Sequence, residues 1–484
     1  MVATVLPHLR KLAAQSAVYG SADVLASLVN FALIPVYTDY LEPADYGDLA
    51  LLALFGAMAK IVFRLGLDAG FFRIHYELER PEARRRLAGT VTLFAAGTGA
   101  LMVGAVALVS GPLTRVLLGG GRPASWLVLV AADVFLSGLA FVPAALLRIE
   151  ERAGLFSAAS VLRHLANTAL KVALLASGQG IAGVVWSDAL SSAVYAAALL
   201  PVLKGRASAA FAPALLREAL GFGLPKVPHG LMVQVQNLAD RKILDLFVTR
   251  AEVGLYQMGY SFGTLVKFPL SAFEPAWQPF VYARLPEKDA PATLARVARY
   301  AFAAFVAVGL AVAVLGPELL VRMTPASFHP AAAVIPVVAL AYVLHGAFLL
   351  TSVGIGIRKQ TRHYPRITAL AAAANLLANL ALVPRYGILG AAWATVISYA
   401  AMAAAGFLLA RRLYPLPVEW RRVAQAAALA AGVYLATLFA PDATWGALAV
   451  KGALLAGYPA ALAAAGFLRE GPGYSETTSS GRTT

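Results

Sequence analysis

Runs of about 20 apolar residues, the length a helix needs to cross the roughly 30 Å hydrocarbon core of a bilayer, recur fourteen times between Ala17 and Leu468. In lipid only helices and closed barrels satisfy every backbone group internally, and alanine- and leucine-rich runs of this length exclude a barrel. The chain is therefore expected to be an all-α polytopic membrane protein. Composition agrees: 60% of the 484 residues are hydrophobic and 13% charged, against about 25% charged in a soluble domain. The expected spans are 16 to 36, 45 to 70, 88 to 110, 126 to 147, 154 to 177, 180 to 203, 221 to 247, 254 to 280, 297 to 315, 331 to 355, 366 to 384, 387 to 410, 422 to 440 and 446 to 468. The first apolar run is span-length and is followed directly by a second, so helix 1 is expected to stay in the membrane.

A duplication organises these spans. Ala44-Asp-Tyr-Gly47 returns as Ala251-Glu-Val-Gly254, and Gly180-Ile-Ala-Gly-Val-Val-Trp186 returns as Gly387-Ile-Leu-Gly-Ala-Ala-Trp393, both 207 residues later. Two matches at one offset mark a repeated unit. Each copy holds six expected spans, an even number, so the second copy enters the membrane in the same orientation as the first and the repeat is parallel. The expected organisation is an N-lobe of helices 1 to 6 over 1–210 and a C-lobe of helices 7 to 12 over 211–415. Helices 13 and 14 over 416–470 and a disordered cytoplasmic tail over 471–484 follow. Paired lobes usually carry a site between them.

The formal net charge is +15, which in a soluble chain would suggest nucleic acid. Here its placement argues for topology. With both termini and the even-numbered connections on one side, that side carries most of the basic residues, among them Arg84, Arg85, Arg86, Arg148, Arg411 and Arg412. The opposite connections hold only Arg115, Arg122, Arg250, Arg322 and Arg385. The positive-inside rule then makes both termini cytoplasmic, with some affinity for anionic lipid headgroups and no nucleic-acid partner.

Polar residues inside spans are costly, so their angular positions are informative. At 100° per residue, His229, Gln234, Gln236, Asn237, Asp240 and Arg241 fall with Lys226 within an arc of about 160° on helix 7. On helix 8, Tyr256, Tyr260, Gly263, Lys267, Ser271, Glu274 and Gln278 fall within about 80°. These stripes fit a wet substrate cavity or a buried network between helices. Lys267 is mid-span and needs water, a carboxylate or an anionic ligand, with Glu274 and Asp240 as candidate partners. Lys60, Arg64 and Asp68 share a face of helix 2 at i, i+4, i+8, a spacing that lets Arg64 pair with Asp68. Arg163, Asn167 and Lys171 repeat that spacing on helix 5, and Asp23, Asp133 and Asp188 are lone acids within spans. The repeated Gly-Ile-x-Gly fits tight packing rather than chemistry, since glycine permits close backbone approach.

Catalytic signatures are missing. The sequence has no Gly-x-x-x-x-Gly-Lys-Ser/Thr for ATP, no zincin spacing, no Gly-x-Ser-x-Gly elbow and no cysteine. A membrane carrier without metal or other cofactor fits better than an enzyme.

Several segments resemble a known family. Tyr364-Pro-Arg-Ile367 and Asn375 through Gly387-Ile-Leu-Gly-Ala-Ala-Trp-Ala-Thr395, with Pro43-Ala-Asp-Tyr-Gly47, Asp240-Arg241-Lys-Ile-Leu244 and Ala251-Glu-Val-Gly-Leu-Tyr256, are similar to bacterial polysaccharide exporters of the O-antigen flippase type. That family belongs to the multidrug/oligosaccharidyl-lipid/polysaccharide exporter superfamily, and the likeness runs over essentially the whole chain. It implies two six-helix lobes around a central cavity that opens alternately inward and outward in the cytoplasmic membrane of a bacterium or archaeon. It implies as cargo a polyprenyl-diphosphate-linked oligosaccharide bound for a surface polysaccharide, with polysaccharide polymerase or assembly proteins as possible partners. On this reading Lys226, Arg241 and Lys267 meet the diphosphate, Gln234, Gln236, Asn237, Tyr256 and Tyr260 meet sugars, and Arg64 joins Lys267 as a cavity cation comparable to those of lipid II flippases. Asp23, Asp68, Asp133, Asp188, Asp240 or Glu274 would couple an ion. The alternatives are a drug or cation antiporter of the same superfamily, a membrane-embedded glycosyltransferase or polymerase, and a non-transporting scaffold.

Overall fold

The structure, a computed structural model, describes residues 28–358, 360–439 and 445–467, and among these every regular element is helical. Asp23, the start of the expected first span and the tail from 471 lie outside the described residues, as do the side chains of Gln236 and Asn237. The helices are α1 (Ile34–Thr38), α2 (Pro43–Arg64), α3 (Leu67–Glu77), α4 (Pro81–Leu118), α5 (Ser125–Leu139), α6 (Phe141–Ile149), α7 (Ala153–Ala176), α8 (Gly180–Leu199) and α9 (Pro213–Gly223). They continue as α10 (Val227–Phe247), α11 (Arg250–Gly263), α12 (Lys267–Arg284), α13 (Ala290–Met323), α14 (Val334–Thr351), α15 (Val353–Ile357), α16 (Tyr364–Leu413), α17 (Trp420–Thr437) and α18 (Trp445–Ala464). Among the described residues seven helical segments are long and apolar enough to cross a membrane, from Pro43–Glu77 to Tyr364–Leu413. The chain is an all-α polytopic membrane protein. The last segment runs through two expected spans, while the expected spans that carry Arg163 and Lys171, Asp240 and Arg241, or Lys267 and Glu274 are the more polar helices α7, α10, α11 and α12.

Several spans are broken where a continuous helix was expected. The second breaks at Leu65 and Gly66, both left-handed with φ of 48° and 70°, and position 66 must be glycine there, since a Cβ would stand 2.1 Å from the Gly223 carbonyl oxygen. Asp68 therefore falls on α3 rather than on the helix of Lys60 and Arg64, and among the described residues no ion pair joins it to Arg64. The expected eighth span is interrupted by a 3-10 turn over Thr264–Val266. Pro269 has no N–H to return to the Leu265 carbonyl, which favours the tighter turn there. The expected outward connection from Gly111 to Ser125 is shorter than its sequence suggested, since α4 continues through Pro112 to Leu118.

Two compact units emerge. One comprises the chain up to Gly259 with Arg322–Ala331 and Thr368–Ala394; the other comprises Tyr260–Val321, Ala332–Ile367 and the chain from Thr395 onward. In the first, Leu51 and Leu52 of α2, Leu127 of α5 and Ile181 and Val185 of α8 form one buried cluster. Ala59 and Phe63 of α2 meet Ala131 and Val134 of α5 in another. These clusters fix the facing sides of α2, α5 and α8. In the second unit Lys451 on α18 donates to Glu318 on α13 across 2.6 Å, with both side chains buried.

The duplication persists in local geometry. α2 begins at Pro43 and α11 at Arg250, equivalent positions of the repeat. Each opens with a reciprocal cap: the Glu42 N–H donates to Asp45 at 2.9 Å, and the Thr249 N–H donates to Glu252 at 2.9 Å. Such caps satisfy amide donors that the first turn leaves orphaned. The first glycine of the other repeated motif has positive φ in both copies, 51° at Gly180 and 53° at Gly387. Gly183 lies against the preceding helix and Gly390 against the part of α16 before its kink at Gly387, where their Cβ atoms would stand 2.9 Å from the Leu174 Cβ and 2.5 Å from the Leu382 carbonyl oxygen. The motif is a tight helix-to-helix turn used twice.

Gly180→Ala and Gly387→Ala should each destabilise the protein by about 1–3 kcal/mol, the cost of holding an L residue in such a backbone region. Gly97→Ala on α4, where a Cβ meets nothing within 4 Å, is the control. Thermal unfolding of the purified protein should give lower midpoints for the first two, and equal midpoints for all three would contradict the turn assignment.

Candidate substrate cavity

Beyond the apolar clusters of the first unit, α2, α5 and α8 turn polar on their shared side. Lys60 and Arg64 lie one turn apart on α2, Asp133 and Ser137 one turn apart on α5, and Asp188 and Tyr195 two turns apart on α8. Together with Phe141 and Arg148 of α6, Phe156 and Arg163 of α7 and Gln234 of α10, they line a cavity of about 610 Å³. Four cations and two carboxylates face it.

The carboxylates are already engaged. Arg163 stands 3.8 Å from Asp133 and donates to Ser192 at 2.9 Å, and Ser192 donates in turn to Asp133. Asn167 donates to Asp188 at 2.7 Å and the Lys171 ammonium stands 3.4 Å from it. The i, i+4, i+8 spacing of Arg163, Asn167 and Lys171 thus runs antiparallel to α8 and neutralises its polar face. Lys60, Arg64 and Arg148 remain, none with a carboxylate at ion-pair distance among the described residues. Arg148 is sandwiched, its guanidinium 5.1 Å from the Phe72 ring centroid and 5.5 Å from that of Phe156. Arg64 rests 5.9 Å from the Phe141 centroid, and its buried Nε has no hydrogen-bond partner among the described residues. A buried charged donor left unpaired is costly. The lining carries a formal excess of two positive charges, flanked by aromatic rings and the Gln234 amide: chemistry suited to a dianion attached to a polar group.

The residues expected from sequence distribute unevenly. Arg64 and Gln234 line the cavity. Arg241 does not: it is 1% exposed, with Nη1 2.6 Å from Asp240 and Nε donating to Gln257 at 3.1 Å. Tyr256 donates to the other Asp240 oxygen at 2.5 Å and lies under the guanidinium. Asp240, Arg241 and Tyr256 therefore form a buried knot between α10 and α11. Tyr260 bonds the Tyr342 hydroxyl at 2.9 Å in the second unit, where the Lys267 ammonium stands 4.9 Å from the Tyr342 ring centroid. Lys226 is exposed beside the Phe222 ring, and Asp68 and Glu274 are exposed. Asn237's side chain and Asp23 lie outside the described residues. Arg148 was legible only as a topology-setting basic residue, since nothing in a linear reading turns it inward.

The repeated tetrads meet in the same unit. A Cβ on Gly47 would stand 2.2 Å from the Arg250 carbonyl oxygen, and one on Gly254 would stand 1.7 Å from that of Pro43. Beside this contact the fully buried Asp48 pairs with Arg122 at 2.8 Å and Arg250 at 3.3 Å, and Arg250 also reaches Asp245 at 3.0 Å. Lys242 donates to the Val116 and Leu117 carbonyls that end α4 and to Asp245. The helix starts of both repeat copies are thereby clasped.

Arg241→Ala would leave Asp240 buried and unpaired, a change that costs about 3–5 kcal/mol. The yield of monodisperse protein in size-exclusion chromatography should fall, and Asp240→Asn combined with Arg241→Gln should recover much of it. Full yield from Arg241→Ala alone would contradict the buried-pair assignment.

Residues 40–308 match the model of the polysaccharide biosynthesis protein family. No curated protein matches the chain. The fold is similar to that of the lipid II flippase MurJ in an inward closed conformation, with a TM-score of 0.72 at 11% identity over 93% of this chain and 98% of that one. It is also similar to an inward-facing multidrug resistance MATE family transporter of the MOP superfamily, with a TM-score of 0.59 at 16% identity over 83% and 96% of the two chains. A MOP superfamily transporter from Pyrococcus furiosus gives 0.55 at 16% identity over 86% and 95%.

Proposed function

The chain belongs to the polysaccharide biosynthesis protein family, and from that premise we propose that it is a flippase carrying a polyprenyl-diphosphate-linked oligosaccharide across the cytoplasmic membrane for surface polysaccharide assembly. The observation that carries this reading is the cavity in which Lys60, Arg64 and Arg148 have no carboxylate at ion-pair distance among the described residues. An intramembrane cation is retained where it meets water, a counter-charge or a ligand, and a diphosphate offers both charge and acceptors. Tyr195 and Gln234 offer hydrogen bonds for sugar hydroxyls, and the polyprenyl tail stays in the bilayer. The diphosphate is assigned here rather than to Arg241, which is spent on Asp240, or to Lys226 and Lys267, which lie against Phe222 and Tyr342.

Transport by alternating access of two six-helix lobes, with both termini cytoplasmic and fourteen spans in all, completes the proposal. The clasp of Gly47 against Arg250 and Gly254 against Pro43 supports it, because the positive-inside assignment puts these helix starts on the outward side. The clasp would hold the outward end shut and would have to open for release. The cycle would run without ATP, coupled to a proton or sodium through an acid outside the cavity, such as Asp68 or Glu274. A cation-exporting cycle has less support, because the cavity's own carboxylates are already neutralised by Arg163 and Lys171.

In cells lacking the chain, lipid-linked oligosaccharide should accumulate on the cytoplasmic face, and Arg64→Gln combined with Lys60→Gln should reproduce that accumulation with normal amounts of membrane-inserted protein. Mass spectrometry with leaflet-selective digestion reads this, and an unchanged lipid pool with altered efflux of organic cations would overturn the reading. The absence of native cysteine allows a second test with Ser137→Cys in the cavity lining. An impermeant maleimide applied from outside should label it slowly, and faster once Gly254→Ala pushes the clasp apart; equal labelling with and without Gly254→Ala would count against an outward gate at the repeated tetrads.

A further inference from the structure

The proposed cycle draws on a proton or sodium, and the interior of the second unit holds a group suited to the proton. The apolar segment Ala326–Ile357 contains no aspartate, glutamate, lysine or arginine; its titratable side chains are His329, Tyr342 and His345. His329 is engaged near one end, its Nε2 3.1 Å from the Thr324 carbonyl oxygen. His345 on α14 is not: its Nδ1 is buried and has no hydrogen-bond partner among the described residues. An ionisable side chain inside a span points to function, and a buried polar atom left unsatisfied needs an explanation.

The surroundings of His345 are aromatic and hydroxylic. Its ring centroid lies 5.0 Å from that of Tyr399 on α16 and 6.4 Å from that of Tyr342, one turn back on α14. The Tyr342 hydroxyl bonds that of Tyr260 on α11 at 2.9 Å, and the Lys267 ammonium of α12 stands 4.9 Å from the Tyr342 ring centroid. α13 brings Phe305, which does not titrate, against the neighbouring Gly346. Among the described residues no carboxylate stands at ion-pair distance from His345. A proton on the imidazole would therefore be a second positive charge beside that of Lys267, both neighbours of the one Tyr342 ring, and like charges held close in a medium of low dielectric repel. Imidazole is the side chain whose ordinary range lies between about pH 5 and 8, so His345 is the member of this cluster that can change charge during a cycle.

We propose that His345, rather than an acid, is the proton-binding site of the cycle: a proton from water adds to the Nδ1 lone pair when Lys267 withdraws from the Tyr342 ring, and returns to water when Lys267 comes back. Because the seated lysine and the bound proton exclude one another, proton binding shifts the second unit between two arrangements. What that shift drives rests on the flippase reading; that the ring takes the proton does not. In the full-length protein in detergent, with its histidines isotopically labelled, nuclear magnetic resonance should show one imidazole signal that titrates and is missing from both His345→Gln and His345→Asn. Its midpoint should lie at higher pH in Lys267→Gln, where the opposing ammonium is gone. A midpoint unmoved by Lys267→Gln, or a His345 ring that takes no proton above about pH 5 in that variant, would overturn the proposal. In proteoliposomes holding a polyprenyl-diphosphate-linked oligosaccharide, acid on the outer side should drive the cargo into the outer leaflet, up to about tenfold per pH unit for one proton. His345→Gln should let cargo equilibrate between leaflets without that accumulation. Accumulation that persists in His345→Gln would overturn the proposal and leave the flippase reading standing. Cargo that the wild type does not move would overturn the flippase reading, and the ring titration then decides the proton site.

Discussion

Charge inside a bilayer must be answered. An ammonium or guanidinium at span depth costs several kcal/mol unless water, an acid or a ligand compensates it, and this protein answers its charges in different ways. Arg241 is locked to Asp240, and Lys451 to Glu318, both in buried pairs that join helices. Arg163 and Lys171 neutralise the acids of α5 and α8. Among the described residues Lys60, Arg64 and Arg148 have no ion pair: Arg64 and Arg148 rest against aromatic rings, Arg148 also reaches the Ala144 carbonyl, and Lys60 faces the cavity; the proposed function follows from that remainder. The structural charges matter to it indirectly: by satisfying Asp133 and Asp188 they leave the cavity's balance positive.

The duplication supplies the second organising element. The same glycine-bearing tetrad that starts α2 also starts α11, and the two starts approach so closely that neither tolerates a Cβ. A contact between equivalent pieces of a repeat can be made and broken with little change inside either copy, which is what a gate needs. Asp48, buried between Arg122 and Arg250, adds a charged latch to that contact.

Much of this was legible in the chain. Span-length apolar runs gave the fold class, and the repeated Gly-Ile-x-Gly marked turns whose first glycines do adopt positive φ. Other features were hidden for physical reasons. The break after Arg64 falls on Leu65, a residue that carries no turn signal, and the backbone that packs against it, at Gly223, is distant in sequence. A helical wheel set Asp240 and Arg241 on a wet stripe, yet angle alone says nothing about depth, and the long arginine side chain folds back onto its own neighbour. Arg148 was counted with the basic residues that set topology because its contacts form only in the fold, with Phe72, 76 residues earlier, and with Phe156 across the turn from α6 to α7.

The proposed function turns on Lys60, Arg64 and Arg148, which have no ion pair among the described residues, holding a diphosphate. It is tested most directly by measuring the affinity of the purified full-length protein for undecaprenyl diphosphate and for undecaprenyl monophosphate, which share a tail and differ in charge. The account predicts that the diphosphate binds about tenfold tighter or more, and that Arg64→Gln removes most of the difference. Equal affinity for the two lipids, or a diphosphate preference untouched by Arg64→Gln, would contradict it.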